Sequence, residues 1–415
     1  MRLIFINRFF YPDESATALM LTDLVVGLSP IGLEIHVITT AASYTPEADG
    51  SQLSLFGGDV SVTRLPNLPI SHQSLAGRAL NFIVFYCGLI FAGLHHIRQG
   101  DIVICLTDPP LVGIFAALLA RFKGARLIHW VQDIYPETAM RLGIGSPSNP
   151  VIRWVIRLRD WAWKHADKNV IIGERMAQML QSRGVFQRQL CVIQNWAEDD
   201  VLLPLSPEDN SLRAQWGFSQ TDIVVGYSGN LGRAHDAATM LEAAALLSVR
   251  QAETVRFLFI GGGAKHADLE TAAKEARLAS VVAQRPYRPR AELRQSLSVP
   301  DIHWLSLEPE LEGLIVPSKF YGAAAVGRPI VYIGDIEGEV ARLIRKADCG
   351  SSFAKGDAQG VADFVSRLAG DLALRQRLGK NARTYSVGQL SRVDRIAQWR
   401  SVIEEAVSKN IVGTD

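Results

Sequence analysis

Short, continuously apolar runs of β-forming residues recur along this chain, each followed by a longer helical pattern, and the alternation stops once and then restarts. In the first half the strand-like runs are Arg2–Ile6, Glu34–Thr39, Val60–Arg64, Ile102–Leu106, Arg126–Val131, Asn169–Ile172 and Leu190–Ile193. Helical patterns lie between them at Ala16–Leu28, Leu75–His96, Leu111–Arg121, Val151–His165 and Arg175–Ser182. Strands without an alternating polar face are buried on both sides, which points to a parallel sheet covered by helices. The stretch Asn195 to Asp209, with Pro204, Pro207 and several acids, breaks the pattern. It resumes with strand candidates Ile223–Tyr227, Arg256–Ile260, Val281–Ala283, Ile302–Leu305 and Ile330–Ile333. Helix candidates there are Ala237–Val249, Ala264–Ala276, Arg290–Ser296, Ser318–Ala325, Glu339–Lys346 and Ala358–Ala369. A length of 415 residues accommodates two such cores. The expected fold class is α/β, with two Rossmann-like doubly wound domains facing each other across a cleft. In such sheets ligands bind at the carboxyl ends of the strands.

The formal net charge of +1 gives no electrostatic case for nucleic acid. Cys87, Cys105, Cys191 and Cys349 are scattered, and they read as reduced thiols of a cytoplasmic protein. Met1 leads directly into a strand, so no signal peptide is expected. The apolar stretch Leu80 to Leu94 is shorter than the roughly 20 residues of a spanning helix. It reads as a helix buried against the sheet, with a membrane-dipping segment as the alternative. Arg153 to Lys168, RWVIRLRDWAWKHADK, is basic and Trp-rich. It suits either a sheet-packing helix with a charged outer face or peripheral contact with an anionic membrane.

Glu310 to Pro329 reads ELEGLIVPSKFYGAAAVGRP. A strand-like run (Leu314, Ile315, Val316) precedes Pro317-Ser318-Lys319, which opens a small-residue helix. Free amides at a capped helix start form an anion site, and Lys319 adds a full charge. A nucleotide diphosphate fits that design. Gly229-Asn230-Leu231-Gly232-Arg233 lies between a strand and a helix, so backbone can approach a phosphate and Arg233 can grip it, with Asn230 beside it. Asp133 follows Arg126–Val131 and is placed to orient or deprotonate an acceptor hydroxyl. Glu174 is a weaker candidate of the same kind, and His129, inside the strand, reads as a core residue. Ser15 and Ala16 open the first helix. Gly261-Gly262-Gly263 ends another strand, and Tyr287 follows the next. Each has an ordinary competing reading: a solvated Arg233 on a turn, a surface Lys319, a solvated loop acid at Glu312, and plain helix caps at Ser15 and Asp133. No paired Cys/His spacing and no clear D-x-D occurs, so no catalytic metal is expected.

Several of these segments, in order, resemble the retaining glycosyltransferases of family four, which have the GT-B fold. They are HWVQDIYPE (His129 to Glu137), IIGERM (Ile171 to Met176), IQNWAEDD (Ile193 to Asp200), GYSGNLGRAHD (Gly226 to Asp236) and the Pro-Ser-Lys helix with Gly327-Arg328-Pro329. The likeness covers nearly the whole chain and is strongest to members making exopolysaccharide and O-antigen. It implies an acceptor-binding domain over 1–200, a nucleotide-sugar-binding domain over 201–387, and a helix over 388–415 crossing back to the first. It further implies a UDP-sugar donor acting as substrate with no cofactor, retention of configuration, and domain closure that excludes water. The acceptor is a sugar or a saccharide on a polyprenyl diphosphate at the cytoplasmic face of the inner membrane. Glu312 then acts on the transferred sugar, and Arg233, Lys319, Asn230 and Ser318 hold the diphosphate. Ser15, Ala16, Gly229, Tyr287, Leu314, Ile315 and Val316 line the sugar and nucleotide. The chain departs from the family pattern at Gly322 and Leu314, where relatives carry the acids of a two-glutamate motif, at Asn230 and His235, where they carry Arg and Lys, and at Ser15-Ala16, where they carry a Gly pair. An epimerase of the same fold and a non-catalytic nucleotide-sugar-binding partner are the competing functions.

Overall fold

The structure is a computed structural model, and it describes residues 1–41, 60–68, 75–249, 254–275 and 278–412. The chain divides into two compact units, Met1–Gln194 with Val393–Asp415, and Asn195–Arg392.

The first unit is built on a seven-stranded parallel sheet. Its strands are β1 (Arg2–Ile6), β2 (Glu34–Thr40), β3 (Val60–Leu65), β4 (Ile102–Cys105), β5 (Arg126–Val131), β6 (Lys168–Ile171) and β7 (Leu190–Val192), in the order β3-β2-β1-β4-β5-β6-β7. The helices are α1 (Ala16–Leu28), α2 (Leu75–His96), α3 (Val112–Lys123), α4 (Glu137–Arg141), α5 (Pro150–His165) and α6 (Glu174–Ser182). Ile4, Ile6, Val103 and Cys105 of the central strands are fully buried against Phe85 and Leu89 of α2 and Val112 and Ala116 of α3. The order reverses direction between β1 and β4, the switch point at which doubly wound sheets open a crevice.

The second unit has a six-stranded parallel sheet, ordered β10-β9-β8-β11-β12-β13. In chain order its elements are α7 (Ser211–Gln215), β8 (Ile223–Asn230), α8 (Ala238–Val249), β9 (Val255–Gly262), α9 (His266–Glu275), β10 (Val282–Arg285), α10 (Leu293–Ser298), β11 (Ile302–Ser306), α11 (Lys319–Ala325), β12 (Ile330–Ile333), α12 (Glu339–Ala347), β13 (Gly350–Phe353), α13 (Ala358–Gly370) and α14 (Leu372–Gln389). Tyr227, Phe257, Phe259, Trp304 and Val331 form one face of this sheet and pack on Met240, Ala244, Val361 and Val365.

Both sheets confirm the α/β reading, although the edge strand β13 was not among the expected strands and two further segments differ locally. Leu314 to Val316 is not a strand: the amides of Leu314 and Ile315 both return to the Leu311 carbonyl, at 3.0 and 3.3 Å, in a turn. And β8 runs three residues past Tyr227, because Ser228, Gly229 and Asn230 stay paired with Ile260, Gly261 and Gly262.

The last helix, α15 (Arg392–Val412), belongs to the first unit over all but its opening residue. Trp399 is fully buried, its ring 4.8 Å from that of Trp130 on β5. Ile396 presses on Gly27, where a Cβ would come within 2.4 Å of it. Arg400 donates to the Gly27 carbonyl at 2.6 Å, and Lys168 pairs with Glu405 at 2.8 Å.

Helix α2 is 22 residues long, so the apolar stretch Leu80–Leu94 is only its middle. By length and composition it is long enough to cross a membrane, yet Phe85 and Leu89 are buried in the core and Asn81 is buried with its side-chain oxygen on the Leu68 amide at 2.9 Å.

Candidate functional site

In the second unit the chemistry gathers where β8 and β9 end. Gly229 and Gly261 are paired in register, both with φ near +128°, and Gly263 follows at +131°. Only glycine adopts that backbone without strain. A Cβ at Gly229 would lie 2.8 Å from Lys319 Cε, and one at Gly261 would lie 2.4 Å from the Gly229 carbonyl. The bare strand tips therefore leave room for the Lys319 stem and for each other.

The Lys319 ammonium sits 3.2 Å from His235 Nε2 and 5.1 Å from the centre of the Tyr227 ring. His235 Nδ1 is 2.6 Å from the Ser306 carbonyl, which can only accept, so Nδ1 carries the proton and Nε2 offers its lone pair to Lys319. Burial and then the Lys319 charge push the His235 pKa down to about 3, which keeps the ring neutral. Burial alone pushes Lys319 down to about 8. No carboxylate among the described residues pairs with it. Its neighbours differ. Lys265 donates to the His235 carbonyl at 2.5 Å and pairs with Glu308 at 3.3 Å, and Lys355 pairs with the other Glu308 oxygen at 2.7 Å. Burial opposes ionisation of Glu308, but its bonds to Lys355 and Lys265 hold its pKa below the ordinary value.

Arg233 is exposed on the loop after β8 and has no partner among the described residues. Asn230 is also exposed, and its carbonyl accepts the Tyr227 hydroxyl at 2.8 Å. Tyr287 is 57% exposed, with its ring lying along Gly261 and Gly262, 3.0 and 3.4 Å from where their Cβ atoms would be. The structure thus brings Gly229, Asn230, Tyr287 and Lys319 to one sheet end, with Arg233 on the loop beside them. His235, Lys265 and Glu308 join them. His235 was visible in the sequence only as a departure from the family pattern, and Lys265 and Glu308 carried no signal there.

Two expectations about the Pro-Ser-Lys segment change. Ser318 stands at the N-cap position of α11 but has helical backbone angles, φ −63° and ψ −18°, and its side chain makes no capping bond. A capping serine needs an extended backbone to reach back to the helix amides. The helix has only seven residues, so the positive group at this point is the lysine and not a helix terminus. The small residues that follow serve packing. Ala323, Ala324 and Ala325 are fully buried, and Gly327 meets Gly379 of α14 so closely that a Cβ on Gly379 would lie 2.4 Å from the Gly327 carbonyl. Leu314 is buried and Ile315 and Val316 are half-buried in the turn before α11.

Glu312 has a partner that sequence spacing did not reveal. Its Oε1 accepts the Glu339 amide at 2.8 Å, and its Oε2 lies against Gly338, the N-cap residue of α12. The carboxylate caps α12 in place of the side chain that Gly338 lacks. Burial first, then the charges of Asp335 and Glu339, raise its pKa.

In the first unit, Asp133 follows β5 and its amide donates to Thr107 Oγ1 at 3.1 Å. Its carboxyl is pushed up to about 7, by burial and then by the charge of Asp108. Asp108, just beyond β4, is itself raised to about 6 by burial, against the pull of Arg8. A cavity of about 30 Å³ lies beside Asp133, lined also by Thr107, His129, Tyr135, Arg159 and Trp163. His129 is buried and held neutral, its pKa near 4 through burial, as a core residue. Asp108 escaped the sequence reading although the same strand-end rule that selected Asp133 applies to it. Ser15 caps α1, its Oγ accepting the Ala18 amide at 3.3 Å, and Ala16 is exposed as the first residue of that helix. Glu174 opens α6 on the surface.

The basic helix α5 divides its charge. Arg159 is buried and holds Glu137 through both guanidinium nitrogens at 2.5 and 2.8 Å, with its carbon 4.0 Å from the buried Trp163 ring. Arg153, Trp154, Arg157 and Lys164 remain exposed. Among the described residues no three His, Cys, Asp or Glu side chains converge on a metal-sized site.

Comparison with known proteins identifies the relatives of this chain. Residues 16–196 match the family described as glycosyl transferase 4-like domain, and residues 208–385 match glycosyl transferases group 1. The chain is 28% identical over 276 residues to the probable glycosyltransferase WbjE of Pseudomonas aeruginosa, an alignment spanning 65% of this chain and 66% of that protein. It is 23% identical over 352 residues to the putative colanic acid biosynthesis glycosyl transferase WcaI of Escherichia coli strain K12, spanning 83% and 86%. The crystal structure of Anabaena HepE in complex with UDP superposes with a TM-score of 0.72 at 16% identity, covering 98% of this chain and all of that one.

Proposed function

The chain belongs to the two-domain glycosyltransferases of the GT-B kind, a glycosyl transferase 4-like domain followed by a group 1 domain, and we propose that it transfers a sugar with retention from a UDP-sugar held by the second unit to a saccharide held by the first. The observation that carries this reading is Lys319, a half-buried, desolvated ammonium with no acid paired to it among the described residues. An uncompensated buried charge is costly unless a ligand completes it. A diphosphate set at the ends of β8 and β9 would do so, with Arg233 reaching it from the loop. As the sugar leaves, negative charge grows on the diphosphate, and a fixed, poorly solvated cation stabilises that change. Tyr287 offers a ring beside Gly261 and Gly262 for the base. UDP is chosen because HepE was solved with it.

In the first unit, Asp133 is placed to take the proton of the acceptor hydroxyl. A base with a pKa near 7 is half-ionised at neutral pH and still basic enough to accept. The acceptor is a saccharide on a lipid diphosphate, within cell-surface polysaccharide synthesis, and the enzyme works peripherally on the cytoplasmic membrane face. The exposed Arg153, Trp154 and Arg157 of α5 suit such a position.

A thermal-shift panel of UDP, GDP, ADP and dTDP on the wild type and on Lys319→Ala tests the donor half. The expected result is a rise in melting temperature that is selective for UDP and absent from the variant. A wild type indifferent to all four nucleotides would sink the reading. Product formation that needs no acceptor would move the chain to the epimerases.

A further inference from the structure

Helix α2 shows two apolar faces where a soluble helix shows one. Its inner residues Phe85 and Leu89 are in the core. On the outer side Leu80, Ile83, Cys87, Ile90, Phe91 and Leu94 are all exposed. They recur at intervals of three and four, so they form one stripe along about 20 Å of helix. Phe91 is 76% exposed. Helix α3 lies alongside: Tyr86 stacks on Phe115 at 4.5 Å, Gly93 meets Leu119, and Lys123 donates to the Leu94 carbonyl at 2.8 Å. That helix adds Leu118 and Phe122, the latter 77% exposed. An apolar surface of this extent is not what a monomer leaves to water.

Its charge names the occupant. From Leu75 to Lys123 the chain has only two acids, Asp101 and Asp108. Asp101 is buried in an ion pair with Arg2 at 2.7 Å, and Asp108, at the end of β4, is pushed toward its neutral form by burial. Arg78, Arg98 and Arg121 are exposed, and Lys123 is half-buried. A second copy of this chain would set basic rim against basic rim. A membrane with anionic headgroups satisfies both the apolar stripe and its rim. Crossing the bilayer is a different matter, because it would strip Phe85 and Leu89 from the sheet.

We infer that the outer face of α2, with Leu118 and Phe122 of α3, docks the first unit in the plane of an anionic bilayer, and that these helices rather than α5 are the principal anchor. The inference rests on the membrane-apposed acceptor of the proposed function. Catalysis and anchoring then sit on one sheet, with Asp108 and Asp133 at strand ends and the stripe on helices that cover the strands.

The test is co-sedimentation of the full chain with vesicles of phosphatidylcholine containing phosphatidylglycerol, against phosphatidylcholine alone. Alkylation of the exposed Cys87 by a maleimide, with and without vesicles, reports on the stripe itself. Wild type is expected to bind the anionic vesicles and to have Cys87 protected by them. Phe91→Glu with Phe122→Glu should lower partitioning by about tenfold or more, since two large apolar groups are lost from the interface. Trp154→Glu on α5 should change it far less. Both positions are so exposed that the variant should fold, and an unchanged UDP-induced thermal shift verifies that. Wild type that fails to bind anionic vesicles while keeping its UDP shift would overturn the anchor and leave the enzyme reading intact. Equal loss on Trp154→Glu would overturn the assignment to α2 and α3. So would a dimer that protects Cys87 without lipid. Vesicle binding without any nucleotide shift would support the anchor and remove the donor site.

Discussion

The two sheets solve opposite electrostatic problems at the same topological position. At the carboxyl ends of β4 and β5 two carboxyl groups, Asp108 and Asp133, are desolvated together, and each is pushed toward its neutral form. At the carboxyl ends of β8 and β11 a lysine is desolvated against a neutral histidine and is also pushed toward neutrality. Desolvation acts on both in the same way, by penalising charge. What differs is the partner each awaits. The acids hold a proton that they can exchange, and the lysine lacks an anion. In the proposed function, one scaffold thus serves proton transfer in its first copy and anion capture in its second.

The largest test of that contrast is Asp133→Asn. Loss of a positioned base lowers kcat by roughly 10²- to 10⁴-fold. Binding of UDP, measured by calorimetry, should not change, because the group lies in the other unit. An active Asn variant would remove Asp133 from the chemistry and hand the comparison to Asp108. Next is Lys319→Met, which keeps the stem against Gly229 and removes the charge. A charge-assisted contact is worth about 1.5–3 kcal/mol, so UDP affinity should weaken by roughly ten- to a hundredfold. The same variant should be at least as stable as wild type without ligand, since a half-buried, desolvated cation without a paired acid is gone.

The pH dependence separates the two sites within one experiment. Asp133 titrates near 7 in the folded chain against 3.8 ordinarily, so between those values the native state holds a proton that the unfolded chain has released. Its contribution to stability is therefore lost as pH rises through about 7, and Asp133→Asn should flatten that limb. Lys319 titrates near 8 against 10.5 ordinarily, so over that window the unfolded chain holds the extra proton. Ligand-free stability should rise there with pH, while stabilisation by UDP shrinks as the cation disappears. Activity should climb through pH 7 and decline above 8. Parallel loss of stability and of UDP binding above pH 8 would mean that Lys319 is not the titrating group.

Periodicity and composition made the scaffold legible, because strands buried on both faces cannot disguise themselves and strand ends are where such sheets do chemistry. Asp133 was picked by that rule, whereas Lys319 came from the Pro-Ser-Lys helix start, Gly229 from a Gly-rich turn and Tyr287 from family likeness. What stayed hidden depended on contacts distant in the chain. Glu308 lies 43 residues from Lys265 and 47 from Lys355, and no local pattern joins them. The second apolar face of α2 was masked for the opposite reason, since a nearly uniform apolar helix has no periodicity to show which side is wet. Helix α14 was missed because its long polar, Arg- and Gln-rich pattern has no strong apolar face, though Asp371 caps it through the Leu374 amide at 2.8 Å.

The smallest effect decides what Glu312 does, and it tests whether both strand-end sites are equally free of structural duty. Family likeness makes it a contact to the transferred sugar, whereas its geometry makes it the cap of α12. Gln in its place keeps an oxygen for the Glu339 amide and loses only the charge. Ala loses both. If Glu312 is only a cap, Glu312→Ala should cost about 1 kcal/mol in denaturant unfolding, with kcat/KM nearly unchanged. Glu312→Gln should then be close to wild type in both. If it also meets the sugar, Glu312→Gln should keep its stability and still lose activity, because only a reacting ligand distinguishes the carboxylate from the amide. The donor site would then share a carboxyl with its own scaffold. In the first unit, Ser15 likewise commits its hydroxyl to structure, capping α1 through the Ala18 amide.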